Sequence, residues 1–99
     1  DPATFNMDAA DLDARIADVK REGKLCPAAV IPVDLFGSPA DYPAIGAIAA
    51  REGLFMLADG AQGFGGRLGG KWVGDLAPAT ATSFFPGKAL GAYGDAGAI

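Results

Sequence analysis

Two charged side chains in this chain stand where reactive groups can be held, and a hydroxyl lies close to one of them. Asp59 directly follows the apolar run Leu54 to Ala58. A carboxylate at the end of such a run is costly to desolvate and needs a partner. Two readings carry equal weight from position alone: a functional group beyond a strand end, or a turn residue accepting from the amides of Ala61 or Gln62. Lys88 follows Ser83-Phe84-Phe85-Pro86-Gly87. A lysine beside apolar strand ends can have a depressed pKa and attack carbonyl groups. Taken alone, it reads more readily as a solvated surface lysine, the common state of that residue. Ser83 offers a hydroxyl to a phosphate, or is an ordinary strand-end hydroxyl.

Other chemistry is poorly served. Histidine is absent, which removes the commonest general base and metal ligand. Gly87, Gly91, Gly94 and Gly97 do not follow a Walker loop or a dinucleotide fingerprint in the required strand–loop–helix setting. No nucleophile elbow occurs.

The elements that must hold Asp59 and Lys88 alternate in type. Asp8 to Glu22 reads as a helix, with Asp8 as cap, Asp11 in the first turn, and Leu12, Ile16 and Val19 as one apolar stripe. Gly23 is a plausible stop. Ala28 to Leu35 reads as a buried strand, with Pro32 favouring its end or a sheet edge. Ser38, Pro39 and Asp41 predict a second helix capped by Ser38, starting at Pro39 and running to about Glu52. Its inner face would be Ile45, Ile48 and Ala49, and Gly53 would end it. Leu54 to Ala58 reads as a strand covered on both faces. Gly63 to Asp75 is a glycine-rich loop with room for a small hairpin around Lys71-Trp72-Val73. Ala79 to Phe85 is a third strand, and Ala96 to Ile99 begins a fourth. This order predicts an α/β fold with a mostly parallel sheet and helices on its faces. Ligands of such sheets bind beyond the carboxyl ends of the strands. Asp59 and Lys88 should therefore share one rim.

Composition sets bounds. The chain is 51% hydrophobic and 20% charged, which excludes disorder. A net charge of −4 argues against nucleic-acid binding. No stretch is apolar and long enough to span a bilayer. The single cysteine, Cys26, cannot form an internal disulfide, which suggests a reducing, cytoplasmic setting. Asp1 and the apolar run Ala96 to Ile99 both look cut from something longer.

Three segments in order, IPVDLFGSPADYPAI, LADGAQ and SFFPGKALGAYGDAGAI, resemble the DegT/StrS-type nucleotide-sugar aminotransferases. The resemblance covers roughly residues 28 to 99, with a loose fit before that. It implies fold type I of the pyridoxal-phosphate (PLP) enzymes: a three-layer α/β/α sandwich around a mixed sheet. Residues 1–99 would be the central part of the large PLP-binding domain, without its N-terminal segment or the small C-terminal domain. The family forms homodimers with active sites at the interface. By the same resemblance, Asp59 would bind the pyridine nitrogen, Gln62 would lie near the phenolic oxygen, Ser83 would bind the phosphate, and Lys88 would form the Schiff base with PLP. The expected activity is transfer of an amino group from an amino acid, expected to be glutamate, to a nucleotide-linked keto-sugar. Gly60 stands where the family commonly has alanine, and Ala96 where it commonly has glycine. Relatives that replace the lysine by histidine are dehydratases, so Lys88 favours transamination. The alternative is a non-catalytic regulatory or structural relative that keeps the fold.

Overall fold

In the computed structural model, which describes residues 1–99, helix α1 (Ala9–Glu22) starts where its local signals place it. Asp8 is extended, and its carboxylate accepts from the amides of Ala10 and Asp11 at 2.8 and 2.9 Å. Two of the helix's orphan amides are thereby satisfied. Left-handed Gly23 closes the other end by donating to the Val19 carbonyl. Ile16 is the buried residue of this helix.

Helix α2 (Tyr42–Glu52) begins three residues later than the Ser38-Pro39 pattern predicts. Asp41 is its cap, accepting from the Ala44 amide at 3.1 Å, and Pro43 lies in the first turn. Ser38 stays outside because long-range partners claim its surroundings. Asn6 Nδ2 donates to the carbonyls of Ser38 and Pro39 at 3.0 and 3.2 Å. The Ala40 amide donates to the Asp34 carboxylate at 3.0 Å. These bonds hold 34–40 as a loop, with a short 3₁₀ turn over Leu35–Gly37. The inner face of α2 is as expected: Ile45, Ile48 and Ala49 are buried, joined by Tyr42.

Six strands follow the chain in the order β1 (Ala29–Val30), β2 (Phe55–Asp59), β3 (Arg67–Leu68), β4 (Lys71–Trp72), β5 (Ala79–Ser83) and β6 (Gly97–Ala98). Four form one mixed sheet in the order β1-β2-β5-β6. The β1–β2 and β2–β5 pairs are parallel, and β5–β6 is antiparallel. The α/β class and the mostly parallel sheet stand as read. β1 is shorter than expected and lies at an edge of the sheet. Pro32 has no amide to give the ladder, which resumes as a bridge between Val33 and Asp59. β3 and β4 make the hairpin, turning at Gly69-Gly70, both with positive φ.

Within these residues one face of strand β2 is packed. Met56 and Ala58 are buried against Val30, Ala40, Tyr42, Ile45 and Ala49, forming the core with α2. The alternate residues face away, and Phe55 is 52% exposed, as are Ile31 (51%) and Val33 (38%). Within these residues the helices cover one face of the sheet. From β2 to β5 the chain runs through the hairpin and a 3₁₀ turn (Val73–Asp75) instead of a helix. No helix is long and apolar enough to cross a membrane. Cys26 is exposed.

Candidate active site

Parallel neighbours β2 and β5 pair Leu57 with Ala79, Ala58 with Thr80 and Asp59 with Ala81. Side chains alternate along a strand, so Asp59, Ala81 and Ser83 share one face, opposite the helix-covered Met56 and Ala58. Asp59 is the last residue of β2, and Lys88 lies in the turn that follows β5, where its amide donates to the Phe85 carbonyl at 2.8 Å. Both therefore lie beyond the same carboxyl rim, as the strand reading requires.

Each predicted residue has a definite local setting. Asp59 is half-buried, and its Oδ1 accepts from the Ala61 amide at 3.0 Å. The turn reading is thus real, yet it uses one oxygen and leaves Oδ2 for another donor. Ser83 Oγ accepts from the Phe85 amide at 3.3 Å, which leaves its own hydrogen to donate. Gln62 Oε1 accepts from the Phe36 amide at 2.6 Å. Lys88 is half-buried and belongs to none of the ion pairs, all of which join residues of α1 and α2.

The loop carrying Lys88 is closed on itself. The Phe84 amide donates to Ala96 and the Ala92 amide to Phe84, each at 2.7 Å. Gly91 packs so closely on Pro86 that a Cβ there would meet the Pro86 carbonyl oxygen at 2.5 Å. Phe84 stacks edge-on with Phe64 at 6.1 Å, tying this loop to the segment that follows Asp59.

Beneath the rim lies a group the sequence reading passed over. Asp34 is fully buried; its Oδ1 accepts from the Ala40 amide and from the Tyr42 hydroxyl at 2.8 Å, while its Oδ2 has no partner. Burial pushes its carboxyl above the ordinary carboxylate range, against the lowering effect of those two donors, and the nearby Asp59 charge adds to the rise. Burial, and then the bond to Asp34, pushes the Tyr42 hydroxyl up as well. The Asp34 amide donates to the Asp59 carbonyl at 3.0 Å, and the Asp59 amide to the Pro32 carbonyl at 2.8 Å. Asp34 thus stands directly beneath the functional rim. The signal was present: Asp34 ends the run AAVIPV as Asp59 ends LFMLA.

The groups at this rim could hold a pyridoxal-type cofactor: a carboxylate oxygen free for a donor, a side-chain amide, a hydroxyl with its hydrogen free and an amine outside any ion pair. Residues 1–99 match the model of the DegT/DnrJ/EryC1/StrS aminotransferase family. The chain is 48% identical over 99 residues to a pleiotropic regulatory protein of Geobacillus stearothermophilus, covering all of this chain and 25% of that protein. It is 44% identical over 99 residues to the UDP-2-acetamido-2-deoxy-3-oxo-D-glucuronate aminotransferase of Pseudomonas aeruginosa, covering all of this chain and 26% of that protein. The crystal structure of a DegT DnrJ EryC1 StrS aminotransferase from Brucella abortus superposes with a TM-score of 0.96 at 50% identity, covering 98% of this chain and 26% of that one. The chain thus spans about a quarter of the length of the curated relatives it matches.

Proposed function

The chain belongs to the DegT/DnrJ/EryC1/StrS aminotransferase family, and from that premise we propose that it is the central part of the large domain of a PLP-dependent sugar aminotransferase. The whole protein would move an amino group from an amino-acid donor, glutamate in this reading, to a nucleotide-linked keto-sugar. Cytoplasmic residence and a homodimer with active sites at its interface belong to the same proposal. The observation that carries it is the placement of Asp59 and Lys88 beyond one carboxyl rim, with Ser83 on the Asp59 face.

PLP, when bound, supplies the electrophilic carbonyl and electron sink that no protein side chain provides. The protein's own residues do the rest. Asp59 Oδ2 would hold a proton on the ring nitrogen, while Oδ1 keeps the Ala61 turn. Ser83 would donate to the phosphate. Lys88 Nζ would be the point of attachment of the cofactor and, when free, a base able to hold a proton beside the reacting carbon. The compact loop around Gly91 limits how far that amine can stray.

Borohydride reduction of the intact holoenzyme followed by peptide mapping tests this directly. The expected product is a phosphopyridoxyl label on Lys88. A label on Lys71 or Lys24 instead would sink the assignment. The name of the Geobacillus stearothermophilus relative keeps a second, regulatory reading in play. In that case, the intact protein's visible absorbance would not respond to glutamate; bleaching by glutamate supports transamination.

A further inference from the structure

Asp34 is a buried carboxyl that the proposed chemistry does not use, and its two oxygens are held unequally. Oδ1 accepts from the Ala40 amide at 3.0 Å and from the Tyr42 hydroxyl at 2.8 Å. Oδ2 has no partner and is closed over by Gly63, where a Cβ would stand 2.6 Å away. A carboxylate is costly to keep ionised in such a place without donors at both oxygens or a cation beside it. No cation pairs with it: every ion pair joins residues of α1 and α2. The titratable groups that act on Asp34 are Tyr42 from α2 and Asp59 from β2. Tyr42 remains a donor, because burial and then its bond to Asp34 hold the hydroxyl proton in place.

Asp34 and Asp59 are joined through the main chain. The Asp34 amide donates to the Asp59 carbonyl at 3.0 Å, and the Asp59 amide donates to the Pro32 carbonyl at 2.8 Å. Their side chains leave opposite faces of the sheet, yet charges partly buried in protein are weakly screened. Asp34 therefore ionises against its burial and, in addition, against the charge on Asp59. Asp59 is half-buried, with one oxygen on the Ala61 amide and the other open to a ligand. Two neighbouring carboxyl groups in such unlike surroundings divide their tasks: one stands as the anion, and the other keeps a proton.

We propose that Asp34 is a positioning residue coupled to Asp59, which keeps its proton while Asp59 is a lone anion and releases it when a pyridinium cation settles on Asp59. This rests on the PLP reading given above. The O–H bond of Asp34 breaks, its electron pair stays on the carboxylate, and the proton passes to solvent. The ring cation cancels the Asp59 charge that had opposed this ionisation. The bound ring then has two anions beneath it, and the second strengthens the hold on the ring-nitrogen proton. Cofactor binding is thereby linked to pH through a residue that does not touch the cofactor.

The test is titration calorimetry of PLP into the intact cofactor-free protein, in two buffers of different ionisation heat and over a series of pH values. The difference between buffers counts the protons released. PLP and Lys88 bring proton changes of their own, which Asp34→Asn leaves in place. Asparagine keeps an oxygen for Ala40 and Tyr42 but has no proton to release. In a window above pH 3.8, wild type should release up to about half a proton more than Asp34→Asn, the yield of a one-unit shift at its midpoint. In an Asp59→Asn background, Asp34→Asn should change the count by nothing. Carboxyl carbon-13 resonances of the wild-type protein give the same answer without a substitution: the Asp34 midpoint should lie lower with PLP bound than without. An Asp34 midpoint that PLP leaves unmoved, or equal release by wild type and Asp34→Asn at every pH, overturns the proposal and leaves Asp34 a structural brace. Peptide mapping of the borohydride-reduced protein separates this inference from the reading it rests on. A label at Lys88 with equal proton release overturns the inference alone. No label at Lys88 overturns the PLP reading and the inference with it.

Discussion

Gly63 offers the sharpest test of how the rim is packed. It follows Gln62 and presses on the buried carboxylate beneath. A methyl group at Gly63 would meet Asp34 Oδ2 at 2.6 Å and Asp34 Cβ at 2.9 Å, where ordinary contact begins at 3.4 Å. Asp34 has no room to retreat, because it is fully buried and its other oxygen is held by Ala40 and Tyr42 at 3.0 and 2.8 Å. Gly63 does not have a positive φ, so alanine at this backbone conformation would by itself gain about 0.4–1 kcal/mol from a stiffer unfolded chain. Overpacking a tight site costs roughly 1–3 kcal/mol. The clash should win, leaving Gly63→Ala about 1–2 kcal/mol less stable than wild type. Gly74→Ala is the control. Its Cβ would meet nothing within 4 Å and its φ is not positive, so it should be neutral or gain about 0.4–1 kcal/mol. Urea unfolding of the intact protein without cofactor, at constant slope, reads both. Asp34→Ser makes room and should shrink the Gly63→Ala penalty, a coupling that a double-mutant cycle isolates. If Gly63→Ala proves as stable as Gly74→Ala, the close approach of the Gln62 segment to Asp34 is refuted.

Three further outcomes follow from the same geometry. Tyr42→Phe leaves the buried Asp34 carboxylate with one donor and should destabilise by roughly 1–3 kcal/mol in the same unfolding assay, the cost of an unmet buried polar group. Burial holds the Asp34 carboxyl above its ordinary 3.8, so the folded protein keeps that proton after the unfolded chain has released it. The associated stability is complete below about pH 3.8 and falls as pH rises toward the folded value. Asp34→Asn does not titrate and should gain on wild type across that window; a gap that widens in favour of wild type would reverse the sign. Asp59→Asn retains an oxygen for the Ala61 turn but cannot hold a pyridinium proton, so it should keep some PLP and lose transamination by orders of magnitude. Near-normal turnover would leave Asp59 a turn residue only.

What was legible in the sequence was what neighbours along the chain decide. Asp8 and Gly23 bracket α1 because caps act within a turn. The places of Asp59 at the end of β2 and of Lys88 beyond β5 followed from apolar runs and their ends. The start of α2 was misplaced because a Ser-Pro-x-Asp pattern is blind to partners far away in sequence. Asn6 reaches across 32 residues to the Ser38 carbonyl, and Asp34 takes the Ala40 amide. LFMLA is apolar on both faces, and these residues supply the cover of the Met56 and Ala58 face alone. The orientation of the Gln62 amide had no sequence signal, since it depends on the left-handed turn at Phe36.

Asp34 and Asp59 show how little sequence context fixes the role of a residue. Each is the first polar residue after an apolar strand segment, and the bridge between Val33 and Asp59 places them almost side by side. Their fates differ because Asp34 is one position past the partner of Asp59, and successive side chains on a strand point to opposite faces. Asp34 therefore turns inward among Ala40 and Tyr42, and Asp59 turns to the open face beside Ala81. Burial raises the proton affinity of Asp34 and makes it a brace. Asp59 keeps an oxygen free of the Ala61 turn and is available to a ligand. A one-residue slip of β1 against β2 would break the bonds from the Asp59 amide to Pro32 and from the Asp34 amide to Asp59. The brace beneath would move out of line with the carboxylate above. The buried Asp34 is thus part of how the backbone of Asp59 is fixed, and a survey of the rim alone would have missed it.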